Sequence, residues 1–104
     1  MAKPALLAKL TAKEGQRDDL LAVIADLGIR NVSGEPGTEI YAAHKDSGDE
    51  NVVWFYELYT DKDALAAHGS SDAMKEFGKA TGQYMAGRPE LIFLEPVAAK
   101  GIDL

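Results

Sequence analysis

Residues Val52 to Tyr59, Val-Val-Trp-Phe-Tyr-Glu-Leu-Tyr, form an unbroken β-branched and aromatic run that reads as a strand. Successive side chains of a strand alternate, so Val53, Phe55, Glu57 and Tyr59 share one face and Val52, Trp54, Tyr56 and Leu58 the other. A sheet with one wet face would show polar residues on that face, and neither face of this strand does. Both must be covered, by a chain of only 104 residues. At Thr60-Asp61 the period changes, and Ala64, Leu65 and His68 recur at helical spacing. Thr60-x-x-Asp63 fits a capping box, with Asp61 as the alternative N-cap. One strand-to-helix corner thus carries a carboxylate (Glu57), a phenol (Tyr59) and an imidazole (His68).

The length predicts a single domain over residues 1–104. A net charge of −6 argues against nucleic acid or anionic lipid as partner, because no basic field would attract either. No stretch approaches the ~20 apolar residues of a membrane span. The opening Met-Ala-Lys-Pro-Ala-Leu-Leu is too short an apolar run for a signal peptide. With no cysteine, disulfides, thiolate metal sites and cysteine nucleophiles are excluded, and a cytoplasmic location is expected.

Taken in order, Pro4 to Ala12 predicts a first strand, and Lys13-Glu14-Gly15 a turn. A helix starts near Gln16, with Asp18 and Asp19 in its first turn, where the dipole favours them, and Leu20, Leu21, Val23, Ile24 and Leu27 as its apolar stripe. It ends at Gly28 or runs on to Ser33; the sequence leaves both open. Gly34-Glu35-Pro36-Gly37 is turn chemistry. Thr38 to Lys45 predicts a second strand, and Asp46 to Glu50 a hairpin loop into the third. The helix after the corner should end near His68, with Gly69 as a break and Ser70 or Ser71 capping the next. That last helix puts Met74, Phe77, Gly78, Thr81, Tyr84 and Met85 on one face, and Gly87-Arg88-Pro89 stops it. Glu90 to Val97 predicts a fourth strand, and residues 98–104 a tail docked on a partner.

The order β-α-β-β-α-β is the ferredoxin-like arrangement of the α+β class, with both helical layers on one face of a four-stranded sheet. Trp54 and Tyr56, with Ile92 and Leu94, would then lie on the uncovered face. An apolar patch of that size is expected to pair with its twin in a homodimer.

Each candidate residue has a plain alternative. His68 could take a proton at neutral pH, or be a helix C-terminal histidine held by the dipole. Glu57, amid apolar neighbours, could be a base of raised pKa, an acceptor that orients His68, or half of an ion pair at the sheet's edge. Tyr41, Tyr59, Tyr84, Trp54 and Phe55 could line a flat pocket or simply be core. His44 and His68 lack metal-ligand spacing, so no metal site is expected.

Trp54-x-x-Glu57-x-Tyr59-x-Asp61-x-x-Ala64-Leu65-x-x-His68, followed by Ser71 and Phe77, resembles the antibiotic biosynthesis monooxygenase family. The Glu35-Pro36-Gly37 turn leading to Tyr41 is also similar to it. The resemblance implies a dimeric α+β barrel and a cofactor-independent monooxygenase that oxidises a small phenolic or hydroquinone-type aromatic with O₂. It implies His68, Glu57 and Tyr59 as catalytic residues, and Phe55, Tyr41, Tyr84 and Phe77 around the substrate. The same fold carries isomerases of small phosphorylated metabolites and haem-degrading enzymes, and a non-catalytic binding dimer would look alike. Haem is discounted, because Pro4 to Lys13 holds no asparagine and Trp54 sits too far before His68.

Overall fold

A computed structural model describes residues 3–104 of the chain. Its strands are β1 (Ala5–Thr11), β2 (Thr38–Lys45), β3 (Val52–Tyr59) and β4 (Glu90–Leu94), and its helices α1 (Arg17–Val23), α2 (Ile29–Ser33), α3 (Lys62–Ser70) and α4 (Asp72–Gly82). The strands form one antiparallel sheet in the order β2-β3-β1-β4, the order of the ferredoxin-like α+β fold.

Gly15, at φ 75°, makes the turn out of β1 in a backbone region that side chains avoid. Gly28 does not end the first helix. A π-helical turn over Ile24–Gly28 joins α1 to α2, so the helical stretch continues to Ser33. Gly28 instead allows close packing: a Cβ there would lie 3.0 Å from Phe77 Cε1 on α4. At the later corner Asp61, not Thr60, caps α3, accepting from the Ala64 N–H at 2.8 Å. Gly69 does not break the chain either, since α3 runs through it to Ser70 before Ser71 caps α4 through the Met74 N–H. The fourth strand is shorter than Glu90 to Val97. It stops at Leu94, opposite Ala5 where β1 itself begins, and Pro96 beyond has no N–H to extend a ladder.

The register puts Leu6, Glu57, Tyr41 and Phe93 in one row on the helix side, with Ala8, Phe55, Ala43 and Leu91 in the next. Leu10, Leu20, Ile24, Val53, Phe55 and Phe77 form the core between sheet and helices. The other face is unevenly exposed. Ala5, Val52 and Leu58 are buried, and Trp54 and Tyr56 are half-buried. The indole N–H of Trp54 donates to Asp46 Oδ1 at 2.8 Å, and the Lys9 ammonium sits 5.7 Å above its ring. Exposure concentrates on β4, where Ile92 and Leu94 are 42% and 40% exposed. The C-terminal tail returns to its own protomer, where Lys3 Nζ donates to the Asp103 carbonyl. Among the described residues no helix is long and apolar enough to cross a membrane.

Candidate functional site

The site is built where two turns meet. The Thr60 N–H donates to the Gly37 carbonyl at 2.9 Å, tying the corner after β3 to the turn before β2. Gly37 lies so close beneath α3 that a Cβ on it would stand 2.5 Å from the Ala64 Cβ. His68 is four residues after Ala64, one turn along the same face of α3. The Gly34–Gly37 turn therefore presents Glu35 directly to the imidazole.

His68 Nδ1 lies 2.7 Å from Glu35 Oε1, which also accepts from the Thr38 hydroxyl at 2.8 Å. A carboxylate can only accept, so against Glu35 the nitrogen Nδ1 is the donor, and in the neutral ring Nε2 is then the basic nitrogen. Nε2 faces Glu57 Oε1 at 3.8 Å, too far for a hydrogen bond and close enough for charge to be felt. The expectation that Glu57 orients His68 is thus corrected: Glu35 holds the ring. Glu57, 4% exposed, accepts instead from the Tyr59 hydroxyl. Burial pushes the Glu57 carboxyl above its usual range, with Glu35 adding to the rise, while the Tyr59 hydrogen bond and His68 oppose it. Burial, then the nearby carboxylates, push the phenols of Tyr41 and Tyr59 up as well, so both remain protonated near neutral pH and neither acts as a base there.

Beside this cluster lies a cavity of about 750 Å³ between the sheet and the α3–α4 layer, within the size range of small-molecule sites. Its sheet wall carries Leu6, Ala8, Leu10, Phe55 and Tyr41, and its roof Leu65, Met74, Phe77 and Met85. Glu57 and His68 mark one end and Arg88 is in the rim. Tyr41 stacks at a tilt against Phe55 and His68, with centroids 4.8 and 5.7 Å apart. The room comes from glycine: at Gly69, Gly78 and Gly82, a Cβ would meet nothing within 4 Å.

Of the residues singled out by sequence, His68, Glu57, Phe55, Tyr41 and Phe77 are all on the cavity wall. Two are not. Tyr59 is fully buried behind the wall, where its hydroxyl donates to Glu57 and its ring packs on His68 with centroids 5.4 Å apart. Tyr84 falls in the turn after α4, where its carbonyl accepts from the Lys13 N–H, because the helix ends at Gly82. Sequence reasoning assigned no role at the site to Glu35 or the α4 glycines. The one available signal for Glu35 was a carboxylate set rigidly between Gly34 and Pro36, ahead of the strand that pairs with β3. Among the described residues no three His, Asp or Glu side chains converge as metal ligands would.

The profile of the family described as antibiotic biosynthesis monooxygenase matches residues 5–80. No curated protein matches. Among solved structures, a candidate antibiotic biosynthesis monooxygenase from Caulobacter crescentus CB15 is 31% identical, with a TM-score of 0.86 over 93% of this chain and 92% of that one. A second such candidate, from Chloroflexus aurantiacus J-10-fl, is 25% identical at TM-score 0.80, over 97% and 99% of the two chains. A Nitrosomonas europaea protein of unknown function, 23% identical, shares the fold at TM-score 0.85 over 99% and 97%. With the profile spanning the sheet's first three strands and the whole His68 corner, the chain belongs to the antibiotic biosynthesis monooxygenase family.

Proposed function

We propose that this protein is a cofactor-independent monooxygenase that oxidises a small phenolic or hydroquinone-type aromatic with O₂. The observation that carries it is His68, fixed by Glu35 at Nδ1 and presenting Nε2 beside Glu57 at the end of an apolar cavity. On this reading Nε2 takes the phenolic proton, and Glu35 stabilises the imidazolium that forms. The phenolate passes an electron to O₂, and the two radicals recombine as a peroxide on a hydrogen-bearing ring carbon ortho or para to the oxygen. That carbon loses its hydrogen as a proton and the O–O bond breaks. One oxygen atom stays as the quinone carbonyl and the other leaves as water.

Glu57, its carboxyl raised by burial, returns a proton to the departing oxygen. Tyr59 holds Glu57 in place, and the Tyr41 phenol donates to the developing oxyanion. Phe55 and Phe77 keep the ring flat and water out. The active form is a homodimer through the sheet face carrying Trp54 and Tyr56. Arg88 in the rim keeps a second reading in view, an isomerase of a small phosphorylated metabolite, alongside a binding dimer without catalysis.

Oxygen uptake with a panel of hydroquinones and naphthols tests the proposal. Uptake should exceed the buffer rate for at least one member, and His68→Ala should lower it at least tenfold. Uptake at the buffer rate throughout favours isomerisation or binding, and full turnover by the His68 variant removes that residue from the mechanism.

A further inference from the structure

Among the described residues, the acidic and basic side chains of the cavity wall are Glu57, His68 and Arg88. Glu57 is opposite Leu6 in the register, and His68 lies against it. Arg88 belongs to the other end. Met85 bridges Ala12, the Ala86 N–H donates to Thr11, and β4 resumes pairing only at Glu90 opposite Lys9. Between Thr11 and Lys9 one residue of β1 therefore faces three, Gly87-Arg88-Pro89, which bulge over the cavity at Leu10. Leu6 and Leu10, both on the cavity wall, are four residues apart on one face, so their Cα atoms lie about 13 Å apart along β1.

Arg88 is also the free arginine of the three. Arg17 donates to the carbonyls of Asp46, Asp49 and Val52, and Arg30 to Asp26, whereas Arg88 has no acidic side chain within 4 Å among the described residues. Pro89 restricts the Arg88 backbone to extended conformations, which limits where its side chain can point. A net charge of −6 repels anions at long range, so the rim cation acts as a point contact, not as part of a general field.

We infer that the cavity is polarised along its length and takes an elongated aromatic acid, its phenol at His68 and Glu57 and its carboxylate or phosphate on Arg88. Resting on the proposed oxidation for the phenol end, this narrows the substrate class to phenols that carry an acid group at the far end of the ring system. A guanidinium at the rim binds the acid without touching the reacting carbon, so it governs affinity and pose, not the oxidation itself.

The test is binding without turnover, under nitrogen, of 6-hydroxy-2-naphthoate, 2-naphthol, 2-naphthoate and 2-naphthyl phosphate, followed by naphthalene fluorescence. The hydroxynaphthoate should bind at least tenfold tighter than 2-naphthol. Arg88→Ala should abolish that preference while leaving 2-naphthol affinity within twofold, and Arg88→Lys should retain part of it. The naphthoate and phosphate arms show which anion the rim prefers. Equal binding of hydroxynaphthoate and naphthol, or an Arg88→Ala loss shared equally by both, overturns the inference. Tight, Arg88-dependent binding of the acid with no oxygen uptake by any phenol would uphold the polarity and sink the oxidation.

Discussion

Glu57 is a carboxyl whose proton is worth more to the folded chain than to the unfolded one. Burial raises its pKa in the native state from the usual 4.5, so between that value and the raised one the folded protein binds more protons. Its stabilising contribution is complete below the unfolded pKa and is lost as pH rises through the folded one. Glu57→Gln removes the titration and keeps an oxygen to accept from Tyr59. The variant should gain melting temperature over the parent progressively from pH 5 to 8, and the difference should shrink toward pH 4. A difference independent of pH would mean that Glu57 is not raised. Tyr59→Phe leaves that buried oxygen without its donor, at a cost of about 1–3 kcal/mol in urea unfolding. Glu57 and His68 were legible in the sequence because a carboxylate in an apolar strand and an imidazole at a helical position need a reason. Glu35 was not, because its partner is 33 residues away and is set by a backbone approach that no local pattern encodes.

That approach is a property of two elements, the Gly34–Gly37 turn and α3, and steric arithmetic can test it. Gly37 lacks a positive φ, so its role is space: Gly37→Ala would set two Cβ atoms 2.5 Å apart. Overpacking of this kind costs about 1–3 kcal/mol, and here it would also pull Glu35 away from His68. Adding Ala64→Gly clears the contact, leaving the next atom, the Ala64 Cα, at 3.6 Å. The double variant should recover stability and oxygen uptake, less about 1 kcal/mol for a glycine in a helix. No recovery would place the damage elsewhere. On α4, Gly78 has open space where a side chain would go. Gly78→Ala should therefore stabilise by about 0.5–1 kcal/mol, whereas Gly78→Leu should fill the cavity and cut turnover without unfolding the protein. Turn chemistry and period located nearly every element. The roles of Gly28, Gly37, Gly69 and Gly78 escaped, because a break, a cap, a close contact and an empty space all read as the same letter. Gly69 was expected as a break and Gly28 as one of two possible helix ends, and both are helical.

At the scale of the whole molecule, the apolar character of both faces of β3 was the argument for a twin, and the fold moves the weight of that argument to β4. The β3 residues of the outer face are already partly or wholly covered within the protomer, whereas Ile92 and Leu94 stay in water. The cavity-side residues of the same strand, Leu91 and Phe93, are 54% and 64% exposed, and β4 is an edge with an unpaired side. A short apolar edge strand bare on both faces is the kind of surface natural proteins cover. Ile92 is in register with Leu7, and Leu7 with Tyr56, so the three make a single row across the outer face. Under the proposed homodimer that row lies at the interface, and Ile92→Lys places a charge in it without disturbing the protomer core. Sedimentation at micromolar concentration should give twice the protomer mass for the parent and the protomer mass for the variant, with unchanged far-UV circular dichroism. A parent that sediments as a single chain would leave Ile92 and Leu94 uncovered and end the case for a barrel of two sheets.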